Sequence, residues 1–319
     1  MIRVARVFAL GEDPRIVTEP APDPGQGQIL VRMQAAALNF ADLLKAKGQY
    51  QEAATPPFVP GLEGAGTVLE APADSGLVAG TRVVVSHPGT MAERICVAPA
   101  ALQPIPDSMS LEQAAGFQVA YGTSHLALTG PGALQPDETL VVLGAAGGVG
   151  LTAVEIGRAL GARVIGVARG SDRLLSVTQA GAQHVIDSAT CLDLRSSLRD
   201  LGGADVLYDP VGAEAGEAAF RALRPGGRHL VIGFAGGRPP ALPLNHALVK
   251  NIAIHGFYWG GYRSLDSRAL RASMDALFGL FEDGRLSPTV GRVLPLERLP
   301  KGYALLRERK SIGKVVITL

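Results

Sequence analysis

Cysteine is scarce in this chain: its 319 residues include two, Cys96 and Cys191. Two thiols cannot build a disulfide framework, and they are compatible with a reducing cytoplasm. Charge is thin as well, at 18% of residues, and nearly balanced, with a formal net charge of +1. Bulk charge therefore gives no reason to expect nucleic acid or an anionic membrane surface as partner. The opening MIRVARVFALGEDP lacks a long apolar segment and runs directly into strand-like sequence, so neither a signal peptide nor a transmembrane helix is expected. There is no repeat and no low-complexity linker. What the chain has in quantity is apolar residues, 47% of the total, in a length sufficient for two domains and a large core. A compact soluble enzyme fits this composition better than a disordered or extended protein.

The stretch Thr139 to Leu160, TLVVLGAAGGVGLTAVEIGRAL, organises the rest. Leu140 to Leu143 is a short apolar run of the kind buried in a parallel sheet. A glycine-rich turn, Gly144 to Gly150, follows it. Val149, Ala153, Ile156 and Leu160 then recur at helical spacing, and Gly161 stops the helix. Strand, glycine turn and helix make the start of a dinucleotide-binding unit. Glycines let the backbone approach a pyrophosphate, and the helix start offers free N–H groups and the positive end of a dipole. The turn carries Ala145 where the usual fingerprint has its first glycine.

Residues 1 to about 120 read as mainly β, with apolar runs such as Ile2–Val7, Ile29–Met33, Gly66–Leu69 and Thr81–Val85 between Pro/Gly/Asp turns. That suits a small barrel-like or sandwich domain. From Leu111 the character changes to helix, and strands and helices then alternate through Gly260. Six strands are expected at Leu140–Leu143, Arg163–Val167, His184–Ile186, Val206–Tyr208, His229–Ile232 and Ile252–Gly256. Helices are expected between several of them, at Thr152–Leu160, Asp172–Ala180 and Ala213–Leu223. The pattern indicates an α/β, doubly wound parallel sheet. A helix over Ser267 to Gly284 and a final strand, Lys314 to Leu319, follow; by pattern this last piece returns to the first domain. The expected domains are residues 1–120 with 265–319, and 121–264.

Several further motifs sharpen the picture. Asn39-Phe40-Ala41-Asp42, Gly48-Gln49-Tyr50 and Pro60 to Gly66 lie in the first region. Asp209-Pro210-Val211-Gly212, Arg224 to Arg228 and Asn251 to Gly260 lie in the second, and Arg309 to Lys314 near the end. Together, and in this order, they resemble the zinc-free quinone oxidoreductase (zeta-crystallin-like) branch of the medium-chain dehydrogenase/reductase superfamily, over essentially the whole chain. The resemblance implies a GroES-like, mainly β catalytic domain that is discontinuous in sequence, plus a Rossmann cofactor domain. It implies a homodimer in which the last strand of the cofactor domain, within Ile252–Tyr258, pairs with its twin.

Zinc-dependent relatives carry Cys where this chain has Asn39 and His where it has Leu62. Neither residue suits zinc, and the region matching a structural zinc site, Ser86 to Ala100, has Cys96 alone. The six histidines show no ligand spacing. No metal is expected.

An NAD-specific site places Asp or Glu at the end of the second strand, to bind the adenosine ribose 2′-OH. Here that position is Ala168, followed by Arg169 and Arg173. Guanidinium groups suit a dianionic 2′-phosphate, which favours NADPH, although the same arginines also read as a solvated loop and helix start. Asp172 also reads as a cap of the following helix.

By resemblance, Asn39 lies near the nicotinamide ribose and the substrate carbonyl. Tyr50 reaches the substrate as donor or positioning group, or else packs as a loop tyrosine. Asp42 and Glu63, as buried carboxylates, hold the fold nearby. Ala146, Gly147, Gly148 and Val149 cradle the pyrophosphate, and Thr123 faces the nicotinamide end. Gly233-Phe234 and Phe257-Tyr258 pass along the nicotinamide side; with Trp259, the latter line an apolar slot or belong to core or a subunit contact. Lys314 reaches the cofactor or caps the last strand.

The function expected is NADPH-dependent reduction of quinones by hydride transfer without zinc, in the cytoplasm, on a small-molecule quinone or enone. Quinones tolerate the absence of a Lewis acid because their reduced charge is delocalised, whereas simple alcohols do not. The alternatives are an NADPH-dependent enoyl or alkenal C=C reductase, and a non-catalytic NADPH-binding, crystallin-like protein.

Overall fold

The computed structural model describes residues 1–50 and 52–319. They form two compact units: Met1–Val119 with Pro288–Leu319, and Ala120–Ser287.

In the first unit a seven-stranded sheet runs Val290–Pro295, Lys314–Thr318, Ile29–Leu38, Glu63–Glu70, Arg82–Ser86, Leu102–Pro104, with Arg94–Val97 also paired to Ile29–Leu38. Ile29–Leu38 is the spine: ten residues, nearly all buried, paired antiparallel with three neighbours. Its length lets the C-terminal strand lie beside it, Val315 opposite Leu38 and Thr318 opposite Ala35. Val315, Val316 and Ile317 are buried on both faces, so this end of the chain is core. A separate two-stranded ribbon pairs Ile2–Arg6 with Arg15–Glu19.

The second unit is built on a six-stranded, all-parallel sheet in the order His184–Asp187, Arg163–Ala168, Thr139–Leu143, Ala204–Asp209, Leu223–Val231, Ala253–Gly256. The first strand in sequence is central and the fourth lies on its other side, which makes a doubly wound sheet with its switch point between them. All five residues of Thr139–Leu143 are buried, as a strand covered on both faces requires. Ile165, Val167, Leu207, Phe220 and Leu223 form part of the core on this sheet.

The expected elements are present, with shifted ends: the first cofactor-domain helix starts at Gly148, and the strand Leu223–Val231 begins where a helix was expected to end. Helices that were not anticipated include Leu194–Asp200 and Leu244–Lys250, and in the first unit Phe40–Ala46 and Leu299–Arg307. The sequence reading also returned the chain to the first domain at 265, whereas in the structure it returns at Pro288. The helix Ser267–Glu282 belongs to the second unit. It buries Met274, Leu277 and Phe278, and Ser273 Oγ lies 2.9 Å from His125 Nδ1. Just beyond it, the Arg285 guanidinium donates to the Ala159 carbonyl and Arg158 donates to the Arg285 carbonyl at 2.8 Å.

Candidate active site

The glycine turn lies at the C-terminal end of the central strand, beside the switch point, where open α/β sheets bind ligands. Gly147 is the N-cap of the helix Gly148–Ala159, and among the described residues no side chain caps it. The first-turn N–H groups have no intrahelical partner and are left to a ligand. Ala146 is buried, while Gly147, Gly148 and Val149 are half-buried. The helix sits unusually close to the turn. A Cβ on Gly150 would lie 2.2 Å from the Gly144 carbonyl oxygen and 2.8 Å from Ala145 Cα, so only glycine permits this approach. Ala145 in place of the first fingerprint glycine is accommodated from the neighbouring strand: a Cβ on Gly166 would come within 3.2 Å of the Ala145 methyl. Space given up at one position is recovered at another.

Beneath the helix start lies a hydroxyl cluster that sequence reasoning did not find. Ser124 Oγ donates to the Val149 carbonyl at 3.0 Å and sits 2.8 Å from Thr152 Oγ1 and 2.9 Å from Tyr208 Oη. Thr123 is buried one residue earlier on the helix Gln118–Thr129. The turn after the fourth strand is organised by Asp209, whose Oδ1 accepts from the N–H groups of Val211 and Gly212 and whose Oδ2 pairs with His229 Nε2 at 3.1 Å. His229 is therefore a core histidine.

At the end of the second strand Ala168 is 5% exposed, Arg169 is exposed and Arg173 half-buried. Arg173 Nη1 donates to the Arg169 carbonyl at 3.1 Å, so the two lie together one helical turn apart. Gly170 is the N-cap of the next helix, Ser171–Gln179. Asp172 is therefore not the cap but a first-turn residue, placed to favour the dipole. One carboxylate does stand near the arginines. Asp187 Oδ1 accepts from Gly170 N at 3.0 Å and Ala189 N at 2.8 Å, and these bonds hold its carboxyl below the usual range. It is occupied in pinning the turn that carries Arg169.

Gly233 and Phe234 follow the fifth strand; Gly233 is half-buried, and the Phe234 ring is exposed and lies over Gly212. Phe257 is buried against Tyr262, with ring centroids 5.3 Å apart. Tyr258 is 40% exposed and folds over Gly260 and Gly261. Trp259 is buried against Gly122, and among the described residues its indole N–H has no partner.

The first unit holds a second polar centre. Lys314 is 7% exposed, and its ammonium donates to Asn39 Oδ1 and to Glu63 Oε1, each at 2.7 Å. Asn39 Nδ2 donates to the same Glu63 oxygen at 3.0 Å, and Glu63 Oε2 accepts from Val119 N at 2.8 Å. Asp42 anchors the adjoining turns, accepting from Asn39 N and Gly61 N. Burial pushes its carboxyl up to about 6, against the opposing pull of those hydrogen bonds and of Lys314. Lys314 is thus a buried counter-ion to Glu63, and it holds Asn39 by the amide oxygen. Tyr50 is half-buried, with the Lys45 ammonium 5.5 Å from its ring centroid.

This donor set does not fit zinc. Asn39 is engaged at both ends, Leu62 offers no ligand atom, and Glu63 is neutralised by an ammonium. Among the described residues no three His, Cys, Asp or Glu side chains converge to hold a metal ion.

A glycine turn at the switch point of a doubly wound sheet, with a mainly β unit interrupted by it in sequence, defines a dinucleotide-dependent oxidoreductase class. Two family models match accordingly: "Alcohol dehydrogenase GroES-like domain" over residues 25–107 and "Zinc-binding dehydrogenase" over 148–277. The chain is 35% identical over 317 residues to bovine quinone oxidoreductase-like protein 2, covering 96% of this chain and 89% of that one. The structure is similar to that of a quinone oxidoreductase from Thermus thermophilus, which was also solved with NADPH, at TM-score 0.88, 31% identity and 99% and 100% coverage. It is also similar to an NAD-dependent alcohol dehydrogenase, at TM-score 0.90, 29% identity and 99% coverage of both chains. The chain belongs to the zinc-free quinone oxidoreductase branch of the medium-chain dehydrogenase/reductase superfamily. It is an oxidoreductase with a site for an NAD(P)-type cofactor.

Proposed function

We propose that this protein reduces quinones with NADPH and without zinc. One observation carries the reading: an uncapped, glycine-lined helix start lies on the same sheet as Arg169 and Arg173, with Ala168 where a ribose-binding carboxylate would stand. The names of the bovine and Thermus relatives support it, as does the Thermus complex with NADPH. The resemblance to an NAD-dependent alcohol dehydrogenase weighs on the side of NADH.

When bound, NADPH supplies a hydride to the acceptor. The chain's own groups do the rest. Ala146, Gly147, Gly148 and Val149 hold the pyrophosphate, with Arg169 and Arg173 on the 2′-phosphate. Thr123, Gly233, Phe234, Phe257 and Tyr258 flank the nicotinamide end. Asn39 is fixed by Glu63 and Lys314 with one amide N–H left to donate to the acceptor carbonyl. Lys314 acts through Asn39 as a positioning residue. Tyr50 positions the acceptor or passes a proton to it. A quinone suits this arrangement because its reduced form spreads the arriving charge, so that hydrogen-bond donors replace a Lewis acid.

We also assign a cytoplasmic homodimer. Both cysteines are free, which fits a reducing compartment. Ala253–Gly256 ends the sheet and pairs with Leu223–Val231 alone among the described residues. Beside it the helix Leu244–Lys250 exposes Leu244, Leu248 and Val249 by 68%, 79% and 75%, more apolar surface than a lone helix keeps in water. Among the described residues no helix is long and apolar enough to cross a membrane.

Steady-state turnover of 1,4-benzoquinone with NADPH, compared with crotonyl-CoA and 2-alkenals, tests the activity. Quinone turnover is expected to dominate. Robust alkenal turnover with none on quinones would make the protein a C=C reductase, and tight NADPH binding without turnover of any acceptor would make it a binding protein.

A further inference from the structure

The cofactor sheet has a second concave site, at its other end. The glycine turn follows Leu143 at a strand's C-terminal end, whereas Gly202 and Gly203 precede Ala204 and Leu223 opens the next strand. Because the strands are parallel, these residues lie at the N-terminal edge of the sheet, opposite the turn. A pocket of about 290 Å³ opens there. Arg195, Arg199, Arg221, Arg224, Lys250 and His246 line it, and among the described residues no acidic side chain does.

Charge of one sign gathered this closely costs free energy unless something balances it. Protein groups do so for one cation: Arg224 pairs with Asp205 at 2.5 Å. Among the described residues Arg195 and Arg199 form no ion pair, and the Arg221 guanidinium donates to the Glu217 carbonyl at 3.3 Å. Lys250 is held over the pocket by the carbonyls of Arg221 and Leu223, at 3.2 and 2.6 Å. Burial, then the nearness of Arg199 and Arg195, hold its ammonium below the usual lysine range. Arg195 and Arg199 are spaced four apart on one short helix, where like charges repel, and Arg195 stands in the first turn, where the dipole disfavours a cation. In addition, His246 Nδ1 is buried with no hydrogen-bond partner among the described residues. The chain as a whole carries a net charge of only +1, so this concentration is local.

We propose that this pocket binds a small, soluble polyphosphate anion with two or three linked phosphoryl groups, at a site separate from the cofactor turn. Guanidinium forks match phosphoryl oxygens in pairs, and several around one pocket match several linked phosphates. A site of about 290 Å³ matches a compact anion better than a polymer, which would need an extended basic track.

Calorimetric titration of the NADPH-saturated protein with inorganic tripolyphosphate tests this, since the bound cofactor keeps the glycine turn occupied. Saturable one-site binding is expected at low salt, weakening as salt is raised. The double variant Arg195→Gln/Arg199→Gln should lose about tenfold or more in affinity, and Arg195→Lys/Arg199→Lys, which keeps the charge but not the fork, should lose less. Both arginines are exposed and repel one another, so the melting temperature should hold or rise; if it falls, Arg221→Gln provides the second variant. Absence of saturable binding, or equal affinity in wild type and the charge-removing variants, overturns the proposal. So does a single-stranded RNA that outcompetes tripolyphosphate at physiological salt.

Discussion

A single ammonium, that of Lys314, joins the polar centre of the first unit. It lies 251 positions from Glu63 in sequence and 2.7 Å from it in space. Its position was legible in the C-terminal motif, but its partners were not, because neither spacing nor periodicity links residues so far apart. Replacing it with methionine, Lys314→Met, leaves Glu63 buried without its counter-ion, and a loss of about 3 kcal/mol in urea denaturation is expected. Glu63→Gln in the same background should recover part of that loss; strictly additive losses would mean the pair is not coupled. Arg169 and Arg173 carry the other residue-scale expectation. Changing both to alanine should raise KM for NADPH about tenfold or more, with a change for NADH of about twofold at most, since a phosphate contact is lost in one case only. Equal effects on both cofactors would mean the arginines do not contact the phosphate.

Among elements, the helix Gly148–Ala159 joins the cofactor turn to the core. Its apolar spacing was visible in Val149, Ala153, Ile156 and Leu160, and the strand–turn–helix order followed. Glu155 was not visible as a special residue, because a carboxylate in a helix ordinarily faces water. Here it is buried and accepts from the Tyr121 hydroxyl, and burial raises its carboxyl from 4.5 to about 7. The fold therefore prefers its protonated form. The stability this group contributes is complete below pH 4.5 and is lost as pH rises through about 7. Glu155→Gln should remove that slope, so that its melting temperature falls less than that of wild type across this window. The difference is worth at most about 3 kcal/mol. Parallel melting curves for the two proteins would overturn the assignment. The helices Leu194–Asp200 and Leu244–Lys250 escaped the sequence reading for a related reason. One carries Arg195 and Arg199, and the other exposes Leu244 and Leu248, so neither shows one buried apolar stripe.

For the whole molecule, the open edge at Ala253–Gly256 and the apolar helix beside it predict self-association. Light scattering should give a dimer for wild type, and Leu248→Glu with Ile254→Lys should shift it toward monomer while each chain stays folded. These side chains are 79% and 38% exposed in the single chain, so they hold little of its core. A monomeric wild type would refute the assignment. The course of the chain between its two units also belongs at this scale. The return to the first unit was expected near residue 265 and occurs at Pro288; up to that point Ser273 and Arg285 hold their partners, His125 and Ala159, in the second unit. An amphipathic helix announces that it will be buried, not against which surface.

The sequence by itself determined what depends on neighbouring residues. That includes the buried strand, the glycine turn, the helix start beyond it, the absence of a ribose-binding carboxylate at Ala168, and the lack of zinc-type donors at Asn39 and Leu62. Each is a matter of backbone freedom or residue chemistry within a few positions. The tertiary structure decided what depends on convergence. It set Lys314 against Glu63, Glu155 beneath Tyr121, Gly166 against Ala145, and several cations around one pocket at the far edge of the sheet. Burial makes the difference: charges and methyl groups that would be independent in water are brought together in the fold, where each constrains the others.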